Sequence, residues 1–428
     1  MSGLLFILLF GFMLFGVPIA FCLILAGAGF LAITDLRPMV VVAQRIMVGM
    51  DSFPLLAIPL FICTGFLMEA TSMSSRLVEF VEAFFGRIRG GMGVICIVSC
   101  TIFAALTGSG PATVAAIGSL MLPALLKSGY PKHMAAGLVA AGGALGPIIP
   151  PSVAMIVYGA TMNLSITKMF MGSIIPGLFM AFMLIVANQF VVFRCDLSGS
   201  GEKHTVQEKI RLTRRAMGTL LLPVIILGGI YGGIFTPTEA AVVGVVYGTL
   251  LAFYHKEMTF SKFFMVLERT VETSSIVILI LGASDLFAWL LTVTRIPTIV
   301  TQAVISVITD KYVYLAIMTV LLFLVGTLME TLVSIVILAP IVVPIGLALG
   351  IDPLHLGCVF CINLIVGFVT PPFGINLFTA VSVTGVKYNE VVRGVLPFMA
   401  ALMLGVVIIA AIPQLVLWLP DMLYGVSR

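Results

Sequence analysis

The chain has 428 residues, of which 61% are hydrophobic and only 9% charged, and its mean hydropathy is +1.23. A soluble protein of this length needs far more charge to cover its surface, so the composition excludes a water-soluble globule and leaves a membrane-embedded one. The net charge of +4 is spread over short loops instead of one basic patch, which excludes a nucleic-acid partner.

Apolar spans of roughly 20 residues cross the hydrocarbon core as helices. Met1 to Thr34 contains no Asp, Glu, Lys or Arg. With no basic residue ahead of its apolar run, it reads as a retained transmembrane segment and not a cleaved signal. Hydropathy leaves open whether it crosses once or twice. Glu69 marks a helix end. Met73–Arg89 then alternates apolar residues with Arg76, Glu79, Glu82, Arg87 and Arg89, the pattern of an interfacial helix bracing a scaffold or of an ordinary amphipathic connector. Gly90–Leu126 is again free of charge and predicts a helical hairpin over 91–126, its tip running from Thr107 through Gly108, Ser109 and Gly110 to Pro111. After a turn at Ser128–Pro131, a helix over 131–162 is interrupted from Gly146 to Ser152 by Pro147, Pro150 and Pro151. A closing helix ends near Phe193, completing a first half over 1–193.

Arg194–Arg215 carries six basic residues against Asp196, Glu202 and Glu208, so 194–216 predicts a cytoplasmic linker. The second half, 217–428, predicts a hairpin over 312–349 with its tip at Gly326–Glu330, then a helix over 354–385 broken at Gly367–Pro372. Backbone groups in lipid must bond internally, so the fold class is an all-α polytopic membrane protein. The seven cysteines lie mostly in apolar stretches and read as small core residues. His133, His204, His255 and His355 sit beside predicted loops and read as loop residues.

The two halves share a plan. A shift of 221 residues lays Pro123 on Pro344, Gly129 on Gly350, Gly146 on Gly367, Pro150–Pro151 on Pro371–Pro372 and Pro176 on Pro397. Helix breakers at matched places in two halves point to a binding site near the bilayer midplane, because irregular backbone is tolerated there only around protein or a water-filled cavity. The simpler alternative is an old duplication whose prolines only kink packed helices. An odd number of crossings per half makes such repeats inverted, an even number parallel.

Each break supplies chemistry. A helix end exposes carbonyls with partial negative charge, suited to a cation, and a helix start exposes amides suited to a carboxylate. The hydroxyls of Thr107, Ser109, Thr113 and Ser152, and of Thr327 and Thr370 in the second half, add oxygen ligands for a cation or contacts for a substrate anion, and a set of neutral, hard oxygens favours Na⁺ over transition metals. Glu330, an acid in an apolar run, is a functional candidate, or else packing support at a helix start. Arg295 either contacts a substrate carboxylate or, more simply, reaches its head to the headgroups. Asp285 either partners it or faces a cavity. No HExxH helix or facing acid pair is present, so no catalytic residue is expected.

The stretches from Gly108 to Thr113 and Gly146 to Ser152, with Gly367 to Gly374 in the second half, resemble the signatures of the large membrane subunits of TRAP (tripartite ATP-independent periplasmic) transporters. The similarity covers essentially the whole chain. It implies two inverted repeats in an elevator-type secondary transporter of the bacterial inner membrane, driven by Na⁺. It places one sodium at Gly108, Ser109, Gly146, Ile149 and Pro151, and another at Gly326, Glu330, Gly367 and Thr370, held mainly by carbonyls. It also implies a separate small four-helix membrane subunit, a periplasmic substrate-binding protein, and an organic acid anion such as a C4-dicarboxylate or sialic acid as cargo. The alternative reading is a stand-alone Na⁺-coupled carboxylate symporter or Na⁺/H⁺ antiporter of related fold.

Overall fold

The computed structural model of the chain describes residues 2–86, 89–195, 197 and 205–425; Arg87, Asp196, Glu202, Lys203 and His204 of the stretches discussed above lie outside the described residues. The described residues are helical throughout, without a strand. Ten helices precede the polar stretch: α1 Ser2–Leu14, α2 Ile19–Thr34, α3 Val40–Met50, α4 Ala57–Glu69, α5 Met73–Phe85, α6 Gly91–Thr107, α7 Gly110–Lys127, α8 Lys132–Gly143, α9 Val153–Thr161 and α10 Ile166–Arg194. Ten follow it: α11 Val206–Tyr231, α12 Pro237–Tyr254, α13 Phe260–Val293, α14 Ile296–Ile305, α15 Lys311–Leu328, α16 Thr331–Ala348, α17 Pro353–Val366, α18 Ile375–Thr384, α19 Tyr388–Ala411 and α20 Gln414–Tyr424.

Among the described residues seven helices are long and apolar enough to cross a membrane, or eight if α3 and α4, bent by 59° at their junction, count as one span. Exposed Phe182, Phe190, Val246, Leu250, Ile276 and Leu324 give the outer surface the apolar character that lipid requires and water penalises. Met1–Thr34 holds two helices, parted where Gly16 takes φ +74° and Pro18 begins α2. The polar stretch becomes helical earlier than expected. A capping box between Thr205 and Glu208 starts α11 at Val206, so the end of the expected linker over 194–216 is already helix.

Element bounds repeat along the chain. Moved by the step from Gly110 to Thr331, α7 falls on α16 end to end, and α6, α8 and α9 fall on α15, α17 and α18 within two residues at each end. The bent pair α3–α4 falls on a single uninterrupted helix, α13. Packing crosses between halves. α7 packs on α18, α16 on α9, α8 on α19 and α17 on α10. The α8–α19 crossing is backbone against backbone, since a Cβ on Gly394 would fall 1.8 Å from the carbonyl oxygen of His133. Small residues are what allow such an approach where lipid supplies no hydrophobic drive.

A second set of contacts binds the remaining helices. Buried Arg76 of α5 pairs with Glu257 in the α12–α13 loop, which also accepts from the Ser72 hydroxyl and, at 2.9 Å, from the Ser72 amide. Arg215 of α11 reaches Glu79 of α5 at 3.1 Å, and Arg269 of α13 reaches Glu69 of α4 at 3.4 Å. α1 and α2 pack on the second half of α13 through Leu5, Phe30 and Leu290. His355 corrects one expectation. It is not a loop residue but lies buried in the first turn of α17, its ring 3.1 Å from the carbonyl of Ile409 on α19.

Candidate functional site

The first hairpin turns at two residues. Gly108, at φ +60°, ends α6 in the left-handed conformation that a glycine adopts without penalty, and extended Ser109 starts α7 by accepting from the Ala112 amide at 3.5 Å. Behind the tip, the Thr113 hydroxyl donates to the Ser109 carbonyl at 2.8 Å, and the Thr107 hydroxyl donates to the Phe103 carbonyl at 3.3 Å. The break between α8 and α9 closes on itself, Ser152 donating from its hydroxyl to the Pro147 carbonyl while capping α9. Tip and break touch through backbone. A Cβ on Gly108 would lie 2.5 Å from the Pro151 carbonyl oxygen, and one on Gly146 would lie 2.5 Å from that of Ser109. Ile149, buried, belongs to the same break.

The second hairpin is built differently for the same effect. Extended Met329 ends α15, and the carboxylate of Glu330 accepts from the amides of Leu332 at 3.0 Å and Val333 at 3.3 Å. A carboxylate is well placed there, because the first amides of a helix lack partners and carry partial positive charge. A Cβ on Gly326 would lie 2.7 Å from the Leu364 carbonyl oxygen, and one on Gly367 would lie 2.4 Å from the Gly326 carbonyl carbon. Thr370 follows, its hydroxyl donating to the Val366 carbonyl at 3.0 Å. Both breaks carry a cis Pro–Pro bond, Pro150–Pro151 and Pro371–Pro372.

The two tips meet at one cavity of about 260 Å³. Thr107 to Ala112 and Glu330 to Leu332 form one side, and Ile62, Gly65 and Phe66 of α4 with Thr273 and Val277 of α13 form the other. Phe66, Thr273, Val277, Glu330 and Leu332 also line an adjoining cleft that continues to Arg269 and Glu272. Among the described residues no three His, Cys, Asp or Glu side chains come together. A cation at either tip would therefore be held by backbone carbonyls and hydroxyls, with Glu330 the one carboxylate beside it; Gly108 and Gly146, like Gly326 and Gly367, leave those carbonyls accessible where a methyl would cover them.

The expected site residues divide. Thr107 and Ser109 line the cavity with Gly108 and Glu330. Thr113 and Ser152 are fully buried behind it with their hydroxyls bonded to backbone, and Thr327 turns its hydroxyl 2.7 Å to Leu324 on its own helix. Arg295 is an outlier. It caps α14 at φ +55°, exposed and outside both lining sets, so the structure does not bring it to the cavity. Asp285 lies 3.9 Å from Arg45, which stacks on Trp289, instead of pairing with Arg295. Sequence reasoning missed Phe66, Thr273, Val277 and Phe368. The one visible signal was the polar run Glu272 to Ser275, which directly precedes the apolar stretch Ile276–Leu281.

Comparison with known proteins bears on the whole chain. Residues 6–415 match the family model described as the tripartite ATP-independent periplasmic transporter, DctM component. The chain is 42% identical over 399 residues to an isethionate TRAP transporter permease protein, DctMQ, of Oleidesulfovibrio alaskensis, covering 93% of this chain and 63% of that protein. It is 38% identical to the C4-dicarboxylate TRAP transporter large permease protein DctM of Pseudomonas aeruginosa, covering 87% of each. It is 33% identical to the sialic acid TRAP transporter large permease protein SiaM of Vibrio cholerae, covering 98% of each. The crystal structure of the Alcanivorax borkumensis YdaH transporter superposes with a TM-score of 0.62 at 14% identity, covering 88% of each chain, a likeness of fold.

Proposed function

Because the chain belongs to the DctM family of tripartite ATP-independent periplasmic transporters, a family of membrane permeases and not of enzymes, we propose that it carries small organic acid anions inward across the bacterial inner membrane together with sodium. In this reading it works with a small four-helix membrane subunit and with a periplasmic binding protein that captures and selects the anion. The observation that carries it is the meeting of both hairpin tips at one cavity. Amides at the starts of α7 and α16 suit a carboxylate there, and carbonyls at the ends of α6 and α15 suit a cation behind it.

Sodium enters as co-transported cargo, at Gly108, Ser109, Gly146, Ile149 and Pro151 on one side and at Gly326, Glu330, Gly367 and Thr370 on the other. Positive charge at both tips lowers the cost of moving an anion through a low-dielectric layer. An elevator movement is supported by the two groups of contacts. The hairpins and broken helices interlock across the halves, while α4, α5, α11 and α13 are tied to one another by ion pairs. The cavity lies where the two groups face each other. The substrate class follows the relatives, which are named for isethionate, C4-dicarboxylate and sialic acid transport.

The test is uptake of radiolabelled succinate, isethionate and sialic acid into proteoliposomes holding this subunit and its small partner, with the sodium gradient imposed or absent and the binding protein present or omitted. Uptake that requires both sodium and binding protein is expected. Sodium-dependent uptake without a binding protein would make the chain a stand-alone symporter, and sodium-independent uptake would overturn the assignment of the tips.

A further inference from the structure

One buried polar side chain connects the two halves at the site. Asn376 is fully buried in the first turn of α18, just beyond the second break and next to cavity-lining Ile375. Its amide nitrogen donates 3.3 Å to the Ala140 carbonyl on α8, in the other half. Its carboxamide oxygen has no partner. The group sits in a notch made by two glycines. A Cβ on Gly110, the first residue of α7 at the hairpin tip, would lie 2.8 Å from that oxygen, and one on Gly143 at the end of α8 would lie 2.9 Å from the nitrogen. No side chain other than hydrogen fits at either glycine without moving the carboxamide.

A buried acceptor with no partner is costly and is retained only against some return. Here it is held between a tip and a break that belong to different halves. α18 runs directly from the break that carries Thr370, so a shift of this segment on filling the second site displaces Asn376. That displacement acts on Gly110, one residue from Ser109 at the first site. We infer that Asn376 is a positioning residue that couples the two tips, so that ordering of one favours ordering of the other and the two cation sites fill cooperatively. This rests on the reading of the tips as sodium sites and adds to it the physical link between them. Such a link is one way to keep partly loaded carriers from moving, since a half-filled pair holds the tips in conflicting arrangements.

The experiment is a sodium titration of anion uptake in proteoliposomes of the complete system, using succinate, isethionate or sialic acid, whichever the wild-type protein carries. The wild type is expected to give a sigmoidal curve. Asn376→Leu, which keeps the branched heavy-atom shape at a larger volume and removes donor and acceptor, is expected to give a hyperbolic curve with half-saturating sodium raised about fivefold or more. Asn376→Ser, smaller than the notch and so tolerated where leucine is not, must flatten the curve in the same way. A merely structural asparagine would lower the maximal rate or the yield of monodisperse protein and leave the steepness alone; that result in both variants overturns the inference. A wild-type curve that depends on sodium without being sigmoidal overturns the coupling alone. Wild-type uptake that ignores sodium, or no uptake of any of the three anions, removes the underlying reading and the inference with it.

Discussion

At the scale of single residues, the site is made by what is absent from its backbone. Gly108 and Gly146 bring hairpin tip and helix break within reach of each other's carbonyls, and a Cβ on either would land 2.5 Å from an oxygen. Gly146→Ala is therefore expected to lower sodium-driven uptake about tenfold or more, because relieving such overlap costs roughly 1–3 kcal/mol and moves the groups that form the site. Gly228→Ala, where nothing lies within 4 Å of the added carbon, should leave uptake unchanged in the same assay. Glycine and proline made these positions legible in the sequence, since few other residues end and restart a helix within two positions. Arg295 shows the opposite case. An isolated cation in an apolar run draws attention by its chemistry, yet its position was decided by α14, which carries it to the exposed surface.

At the scale of elements, α5 is held to the α12–α13 loop by a half-buried polar cluster lying outside the membrane-spanning segments. Burial pushes the Glu257 carboxyl up, but the Ser72 hydroxyl and amide, with Arg76 and His255, outweigh it and hold the group below the usual carboxylate range. A carboxylate with a lowered folded-state pKa contributes stability that is fully present above its ordinary value near 4.5 and is lost as pH falls through the lowered one. Glu257→Gln is thus expected to cost about 3 kcal/mol near neutral pH by leaving Arg76 buried without its partner, and to weaken the acid-induced fall in melting temperature of the detergent-solubilised protein. Equal acid limbs in both proteins would refute this. The cluster was only partly readable. Arg76 and Glu79 marked an amphipathic helix, but their partners Glu257 and Arg215 lie far along the chain and nothing local signals the pairing. The same holds for most of the cavity wall, since Phe66 and Val277 look like any lipid-facing residues until α4 and α13 are set against the tips, and only Thr273 stands in a polar run.

At the scale of the whole molecule, the proposed sliding of the interlocked hairpins past α4 and α13 has a direct check. A Cβ on Gly65 of α4 would lie 3.5 Å from Cβ of Thr107, a separation that suits a disulfide. In a background with the seven native cysteines replaced, Gly65→Cys with Thr107→Cys is expected to abolish uptake on oxidation and to recover it on reduction; undiminished uptake by the oxidised protein would rule out relative movement at this contact. The two halves differ where α3 and α4 break and bend and α13 runs on as one helix. As one uninterrupted helix of 34 residues, α13 is about 51 Å long against a hydrocarbon layer of about 30 Å. It must lean or stand clear of the bilayer, and its tilt then follows the acyl-chain length of the surrounding lipid. Thr273 and Val277 ride on that helix, so the thickness of the host membrane becomes a variable that sets the shape of the cavity.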